Sequence, residues 1–391
     1  MRDDVIKRWT SGLEEGLKHL EEQHQRRSLV QIQGINFCSN DYLGLAEHPV
    51  LREVVVCALQ NGARAGATGS RLLSGQTDSW RELEEEFANF AGTESALFFS
   101  SGYAANVGML AALVGPDDVM YSDVLNHASL IDGMRLSGAR KVIYPHLDLN
   151  ALEDRLKEDA GAPWRRIIVT ESVFSMNGDV APLREMAALA EKYGAAMIVD
   201  EAHATGVQGP EGRGLAAEAN ILPQVLAILH TCGKALGSAG AFVCGPAVLK
   251  EHLINHARTF IFSTALPPYF VEQIRAAVCL ATGMEAERET LKKRAQGMIR
   301  ALRNEGFDTA NSSSQIVPVK LGKNEATLSA AAHLQEQGFA VRGIRPPTVP
   351  VGQARLRLSL TTKIAEEDLK RLVSSLTHWR EKTTARLARP A

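Results

Sequence analysis

Seven short apolar runs lie between residues 80 and 245 of this chain, and helix-prone segments separate them. Short runs that are apolar throughout are typical of strands buried on both faces of a mostly parallel sheet. The chain is therefore predicted to be an α/β protein with a seven-stranded sheet flanked by helices. The predicted strands are residues 96–99, 119–121, 141–144, 167–170, 196–199, 225–229 and 241–243.

The segments outside this pattern predict two smaller regions. The glycine-rich stretch 62–75 has the composition of a long loop rather than of a core element. The predicted domains are an N-terminal helix and short strands (1–50), a large α/β domain (51–280) and a C-terminal α+β domain (281–391). Further predicted elements are helices over 1–27, 48–61, 268–305, 325–338 and 365–382, and strands over 31–37, 315–319 and 354–360.

Composition and charge narrow the class of ligand. The chain has 391 residues, of which 45% are hydrophobic, so it has enough apolar material for a sizeable core. A formal net charge of −2 argues against nucleic acid or an anionic membrane as the main partner and favours a small molecule. No apolar stretch approaches the roughly 18 residues of a membrane span, and the first residues lack the apolar core of a signal peptide.

The cysteines indicate a reducing compartment. They are odd in number and scattered, and no two have CxxC spacing, so neither a disulfide framework nor a zinc site is expected. A cytoplasmic location without a bound metal is therefore predicted. The five residues are Cys38, Cys57, Cys232, Cys244 and Cys279.

Polar residues follow the ends of several predicted strands. In open parallel sheets, ligands bind outside the carboxyl ends of the strands, so these residues are expected to surround a small-molecule site. The segments concerned are 100–102, 171–175, 200–203 and 231–234.

Asp200 and Lys234 are the most informative of these residues. An acid directly after a buried strand needs a cationic or hydrogen-bonding partner, although a helix cap or a structural ion pair would also explain Asp200. Lys234 lies in the segment 233–237 with few charges nearby, where a lysine loses its proton readily; an ordinary loop is the alternative. The segment is not a Walker A loop, because the earlier Gly and the following Ser or Thr are absent. Together the acid and the lysine match pyridoxal phosphate, which needs a lysine imine and an acid at its pyridine nitrogen.

Other residues fit the remaining parts of such a cofactor. The predicted helix that starts at 101–106 offers free N–H groups to a phosphate. Thr231 and the pair Ser263–Thr264 would add hydroxyl groups, unless these are ordinary turn hydroxyls. His127 heads a predicted helix and would stack on a flat ring, although a histidine at a helix start is common. His203 alone is more often a structural histidine than a catalytic one, but its place one turn from Asp200 favours a shared site.

These motifs, taken in order along the chain, resemble those of the α-oxoamine synthases. These enzymes are fold-type I pyridoxal-phosphate transferases that condense an amino acid with an acyl thioester and release CO₂. The resemblance covers nearly the whole chain. One departure is Ala204, where the family usually has Gly. The matching segments are 39–44, 126–129, 171–176, 200–203 and 231–234.

The resemblance implies a role for each matching residue. Lys234 would bind the cofactor as a Schiff base and later move the substrate Cα proton, while Asp200 would pair with the pyridine nitrogen. A homodimer with a shared active site is also implied. The remaining implied contacts are His203 and Ser175 at the phenolic oxygen, His127 on the ring, Gly102, Tyr103 and Thr231 near the phosphate, and Thr264 from the neighbouring subunit.

The substrate is suggested by the C-terminal segments 344–350 and 354–358. They resemble those family members that join L-alanine to pimeloyl-CoA or a pimeloyl carrier protein in biotin biosynthesis. Asn40 and Arg357 would then anchor the amino-acid carboxylate, and Arg345 would be a further substrate-binding residue. His127 would also hydrogen-bond the thioester oxygen. The alternatives are a relative that uses glycine and a short acyl donor, and a non-catalytic regulatory subunit with the same fold.

Overall fold

The computed structural model describes residues 2–31 and 33–387. Its strands are β1 (Ile35–Asn36), β2 (Ser95–Phe99), β3 (Val119–Asp123), β4 (Arg140–Tyr144), β5 (Arg166–Glu171), β6 (Ala196–Asp200), β7 (Ala227–Thr231), β8 (Ala241–Gly245), β9 (Ile316–Gly322), β10 (Phe339–Ala340), β11 (Gly343–Ile344) and β12 (Ala354–Ser359). Its α-helices are α1 (Arg2–Glu22), α2 (Pro49–Gln60), α3 (Asp78–Ala91), α4 (Gly102–Leu113), α5 (Ala128–Ser137), α6 (Leu149–Glu158), α7 (Leu183–Lys192), α8 (Leu215–Glu218), α9 (Ala247–His256), α10 (Arg258–Ile261), α11 (Tyr269–Gly283), α12 (Glu285–Asn304), α13 (Asn324–Glu336) and α14 (Glu366–Leu387).

The described chain divides into two compact units. The large unit comprises residues 40–175 and 179–291. The small unit comprises the described residues within 1–39, 176–178 and 292–391. No helix in the described ranges combines the length and the apolar character that a membrane span requires.

The large unit is built on a seven-stranded sheet in the order β2-β8-β7-β6-β5-β3-β4. All neighbouring pairs are parallel except those of β8, which runs antiparallel to both β2 and β7. Each of the seven predicted strands is confirmed, as is the mostly parallel sheet. Because only β8 is reversed, the carboxyl ends of the other six strands lie at one edge of the sheet, beside the beginning of β8.

Helices cover both faces of this sheet, which explains why its strands are apolar throughout. On one face, Met109 of α4 and Met134 of α5 belong to a buried cluster with strand residues such as Ile198. On the other face, Leu152 of α6 and Met186 of α7 pack in a second cluster with Met197. Neighbouring residues of β6 thus point into opposite cores, as the alternation of side chains along a strand requires.

The small unit contains a three-stranded antiparallel sheet, β11-β12-β9, and a short parallel pair, β1 and β10. The predicted strands at 315–319 and 354–360 and the predicted helices near 325–338 and 365–382 correspond to β9, β12, α13 and α14. The predicted helix over 268–305 is instead two helices, α11 and α12, separated at Met284.

The N-terminal elements are shorter than predicted. Helix α1 ends at Glu22 rather than near residue 27, and His24 just beyond it has a left-handed backbone conformation with φ 54°. The predicted strand over 31–37 is reduced to Ile35–Asn36, and Ile32 lies outside the described residues. Gly34 explains the late start of this strand, because it has φ 95° and a Cβ there would lie 2.2 Å from the carbonyl oxygen of Gly338.

Candidate active site

An open pocket of about 230 Å³ lies in the large unit, where β5, β6 and β7 end and α4 begins. Five strand-end or helix-start segments reach this pocket because the parallel strands point the same way. Predicted site residues that line it are Gly102, Tyr103, His127, Asp200, His203, Thr231 and Lys234.

Asp200 is the last residue of β6 and is buried, with 5% of its surface exposed. Its Oδ2 accepts a hydrogen bond of 2.7 Å from Asn106 Nδ2, and its Oδ1 accepts one of 2.8 Å from the backbone N–H of Ala202. Both of these donors are neutral, so neither of them forms an ion pair with Asp200. A buried carboxylate with only neutral donors is suited to bind a protonated ring nitrogen.

A chain of hydrogen bonds joins Lys234 to Asn40. Lys234 Nζ lies 2.9 Å from His203 Nε2, and His203 Nδ1 lies 2.7 Å from the Tyr42 hydroxyl. That hydroxyl donates a 3.1 Å hydrogen bond to Asn40 Oδ1. Since the Tyr42 proton goes to Asn40, His203 Nδ1–H donates to Tyr42 and His203 Nε2 accepts from Lys234. His203 therefore orients the amine of Lys234.

His127 caps helix α5 at the mouth of the pocket. Its Nδ1 accepts a 3.2 Å hydrogen bond from the backbone N–H of Ser129 and lies 2.8 Å from the Ser129 hydroxyl. The His127 side chain keeps an exposed face. Even so, loss of surrounding water lowers the pKa of His127, and the positive charge of Lys234 also lowers it, while Asp200 acts in the opposite direction. The ring is therefore neutral at physiological pH.

Glu171 brings a second buried carboxyl group to the pocket. It ends β5, is paired in register with Asp200 of β6, and accepts a 3.2 Å hydrogen bond from the backbone N–H of Ser175. Burial, reinforced by the charge of Asp200 and opposed by Lys234, raises the pKa of Glu171 to about 8. Glu171 is thus largely protonated at neutral pH.

The beginning of α4 forms another part of the pocket wall. The Ser101 hydroxyl caps this helix by accepting a 3.1 Å hydrogen bond from the backbone N–H of Ala104. Gly102 is required there, because a Cβ would lie only 2.7 Å from Thr231 Cγ2. Thr231 lines the pocket, but its hydroxyl donates a 3.2 Å hydrogen bond to the carbonyl oxygen of Ala202. The Tyr103 hydroxyl, similarly, donates to Asp132.

Several predicted residues lie elsewhere. Ser175 is buried behind Glu171 and does not line the pocket. Thr264 lines a separate, small pocket of the large unit together with Arg71 and Phe260. Arg345 and Arg357 belong to the small unit, where Arg357 Nη1 donates a 2.6 Å hydrogen bond to the hydroxyl of Ser359.

Four functional candidates were not singled out from the sequence: Tyr42, Asn106, Ser129 and Glu171. Tyr42 and Glu171 occur in the motifs that carry the resemblance, but nothing in their sequence context shows what they contact. Asn106 had a detectable signal, since it is a polar residue in the apolar sequence of α4. Ser129 also lies in one of these motifs, the segment 126–129, where it resembles an ordinary residue of a first helical turn.

The pocket fits pyridoxal 5′-phosphate on chemical grounds. It combines a primary amine held by an imidazole, a buried carboxylate with neutral donors, and a helix N-terminus kept open by a glycine. These groups match, in turn, an aldehyde, a ring nitrogen and a phosphate.

Comparisons with known proteins identify the family. The sequence profile described as aminotransferase class I and II matches residues 32–376. The 8-amino-7-oxononanoate synthase of Geobacter sulfurreducens is 47% identical over 376 residues, which are 92% of this chain and 95% of that protein. The chain belongs to the α-oxoamine synthases. The predicted family, the fold-type I transferase fold and the cofactor pyridoxal 5′-phosphate are thereby confirmed.

Solved structures of other α-oxoamine synthases have the same fold. A variant of serine palmitoyltransferase from S. paucimobilis with bound PLP has a TM-score of 0.87 and 28% identity, covering 96% of this chain and 98% of that one. The 8-amino-7-oxononanoate synthase of Francisella tularensis has a TM-score of 0.78 and 28% identity, covering 90% of this chain and 99% of that one. This α-oxoamine synthase is therefore an acyltransferase that depends on pyridoxal phosphate.

Proposed function

We propose that the protein is an 8-amino-7-oxononanoate synthase. In this reaction the Cα of L-alanine forms a carbon–carbon bond with the thioester carbonyl of pimeloyl-CoA or of a pimeloyl carrier protein. The thiol of CoA or of the carrier leaves, and the alanine carboxyl group leaves as CO₂. The product is 8-amino-7-oxononanoate, an intermediate of biotin biosynthesis. The function rests on relatives with this name that are 44–48% identical over most of the chain.

The structural observation that carries the proposal is the contact of 2.9 Å between Lys234 Nζ and His203 Nε2 inside the pocket that also contains Asp200. When bound, pyridoxal phosphate supplies an electron-withdrawing ring that stabilises negative charge at the substrate Cα. Lys234 would hold the cofactor through its aldehyde, and its amine would then take and return the substrate Cα proton. Its amine is kept in place for this by the hydrogen bond to His203.

Asp200 and His127 have separate roles in this proposal. Asp200 would keep the ring nitrogen of the cofactor protonated. Its buried carboxylate has two neutral hydrogen-bond donors, and a hydrogen bond from a cationic donor would be stronger than either of these. His127 would donate a hydrogen bond to the thioester oxygen as negative charge develops there, and its ring would lie against the cofactor. His203 and Ser175 are assigned to the phenolic oxygen, and Gly102, Tyr103 and Thr231 to the phosphate end.

The amino-acid carboxylate is assigned to Asn40 and Arg357, with Arg345 as a further substrate-binding residue. For Asn40 the support is its link through Tyr42 to His203, which connects it to the pocket by two hydrogen bonds. For Arg357 the support is chemical, since a planar guanidinium binds a carboxylate in a bidentate manner.

We further propose a homodimer whose active site includes Thr264 of the neighbouring subunit. Two large apolar side chains near Thr264 are exposed in the single chain, Phe262 to 70% and Leu73 to 85%. Exposed apolar side chains of this kind favour a surface that a second subunit covers. A cytoplasmic location is also proposed. It is supported by the five cysteines, all within the described residues and all unpaired.

A matrix of substrates tests the activity. Purified protein would be incubated with L-alanine or glycine, each with pimeloyl-CoA or acetyl-CoA, and the products would be identified by mass spectrometry. We expect the highest kcat/KM for alanine with pimeloyl-CoA. A preference for glycine with acetyl-CoA would instead make the protein a glycine C-acetyltransferase.

A Lys234→Ala variant separates both enzymes from a non-catalytic subunit. Wild-type protein is expected to show the absorption band of a lysine-bound cofactor, and the variant is expected to lack both this band and turnover. A wild-type protein that shows no such band with added cofactor would support the regulatory subunit.

A further inference from the structure

Two residues without an assigned role, Asn106 and Ser129, connect Asp200 to His127. Asn106 Nδ2 donates to Asp200 Oδ2 at 2.7 Å and to the Ser129 hydroxyl oxygen at 2.9 Å. The same hydroxyl oxygen lies 2.8 Å from His127 Nδ1. Asn106 lies on α4 and Ser129 on α5, and each has only 1% of its surface exposed. Water therefore does not replace these contacts.

The amide of Asn106 is held in one orientation. Asp200, when ionised, only accepts hydrogen bonds, so the nitrogen and not the oxygen of the amide must face it. Turning the amide would place Asn106 Oδ1 against the carboxylate. In the present orientation Oδ1 is buried and has no hydrogen-bond partner among residues 2–31 and 33–387. Leaving this buried carbonyl oxygen unpaired costs free energy. The two hydrogen bonds donated by Nδ2 offset that cost and hold the amide in this orientation.

The contacts of His127 define which of its nitrogens carries the proton. A backbone N–H can only donate, and that of Ser129 points to His127 Nδ1 at 3.2 Å, so Nδ1 must have its lone pair free to accept. The proton of the neutral ring is then on Nε2. The Ser129 hydroxyl supports this state, because it already accepts from Asn106 and directs its own proton to Nδ1.

We propose that Asn106 and Ser129 are positioning residues that hold His127 as a neutral donor with its proton on Nε2 and link this state to the carboxylate of Asp200. One part of this proposal rests on the proposed function, namely that His127 acts on the thioester oxygen. With Nδ1 occupied, His127 acts through Nε2–H. It therefore donates a hydrogen bond to the substrate and does not accept a proton from it.

The charges around His127 agree with this assignment. The ionisable groups that share its pocket are Asp200, Lys234, Glu171, Tyr103 and His203. Among these, Lys234 opposes protonation of His127 and Asp200 favours it, while loss of water keeps the ring neutral. The Ser129 hydroxyl stabilises the neutral ring further by donating a hydrogen bond to Nδ1.

Nitrogen NMR of the histidine side chains in the cofactor-loaded protein tests the proposal directly. The His127 signals are assigned by their loss in His127→Gln. In the wild type we expect an unprotonated Nδ1 and a protonated Nε2. In Ser129→Ala the backbone N–H of residue 129 still donates to Nδ1, so we expect the proton to stay mainly on Nε2. The pKa of His127 should rise by about one unit, because the neutral form has lost one of its two hydrogen-bond donors. Asn106→Leu should also raise the pKa of His127, since the Ser129 hydroxyl loses the donor that directs its proton to Nδ1.

Two further variants separate positioning from general damage. Ser129→Thr keeps the hydroxyl and should restore the wild-type pKa of His127. Ser137→Ala removes a hydroxyl from the same helix and should leave His127 unchanged, because the Ser137 hydroxyl donates to the carbonyl of Met134 and accepts from the backbone N–H of Ala139. A proton on Nδ1 in the wild type, or equal effects of Ser129→Ala and Ser137→Ala, would overturn the proposal. Neither result depends on turnover, so failure of the substrate assay remains a separate outcome.

Discussion

His146 offers the most quantitative prediction, because it lies between two buried carboxylates. Its Nδ1 is 2.9 Å from Asp123 Oδ1, and its Nε2 is 2.6 Å from Asp179 Oδ2. Carboxylates only accept hydrogen bonds, so both ring nitrogens carry protons and the ring is positively charged. Burial of the ring opposes this charge, but the hydrogen bonds to Asp123 and Asp179 outweigh it and raise the pKa of His146 to about 9.

The shift translates into free energy of unfolding. Relative to an ordinary histidine pKa of 6.5, a value of about 9 corresponds to roughly 3 kcal/mol, since each pKa unit is about 1.4 kcal/mol. The folded-state pKa is raised, so this stabilisation is fully present below about pH 6.5 and is lost as the pH rises through 9. The His146 side chain is only 20% exposed, so solvent screening removes little of it.

The test compares wild-type protein with His146→Gln by chemical denaturation at several pH values between 6 and 10. The difference in unfolding free energy is expected to be largest near pH 6 and to decrease by about 2–3 kcal/mol by pH 10. His19→Gln, a change on the exposed face of α1, provides the matched control and should show no such trend. A difference that stays constant across this range would refute the charged state of His146.

The His146→Gln substitution also has a consequence for the active site. Asp123 Oδ1 also accepts a 2.8 Å hydrogen bond from the backbone N–H of Leu125, in the turn that leads from β3 to His127. Loss of the His146 contact should therefore loosen that turn.

Three further changes have defined outcomes. Gly102→Ala would place a Cβ 2.7 Å from Thr231 Cγ2 and should weaken cofactor affinity about tenfold in an absorbance titration. Gly115→Ala is the control and should leave the affinity unchanged, because the space around its Cβ is open. Tyr42→Phe removes the hydroxyl that lies 2.7 Å from His203 Nδ1 and should lower kcat about tenfold. The circular dichroism spectrum should stay unchanged, and an unaltered kcat would exclude a catalytic role for this contact. With a pKa of about 8, Glu171 ionises as the pH rises through 8, so wild-type kcat should fall at pH 9. Glu171→Gln should keep its activity there, and an equal fall in both proteins would contradict this role of Glu171.

The amino-acid sequence alone determined the elements of the sheet and the identity of the two most informative site residues. The seven apolar runs are local patterns, and burial on both faces needs no knowledge of which strands are neighbours. Asp200 and Lys234 were found from the same local information, because each follows the end of an apolar run. The motifs then identified the family, which the comparisons confirmed.

Only the tertiary structure decided which residues face each other around the pocket. The reversed strand β8 lies between β2 and β7, an order that no local pattern encodes. Tyr42 reaches His203 from a distant segment, and Asn106 reaches Asp200 from the buried face of α4. Periodicity shows which side of an element is buried, but the partner of a buried polar group depends on strand order and helix packing. For that reason the connection from Asp200 through Asn106 and Ser129 to His127 became apparent only in the folded chain.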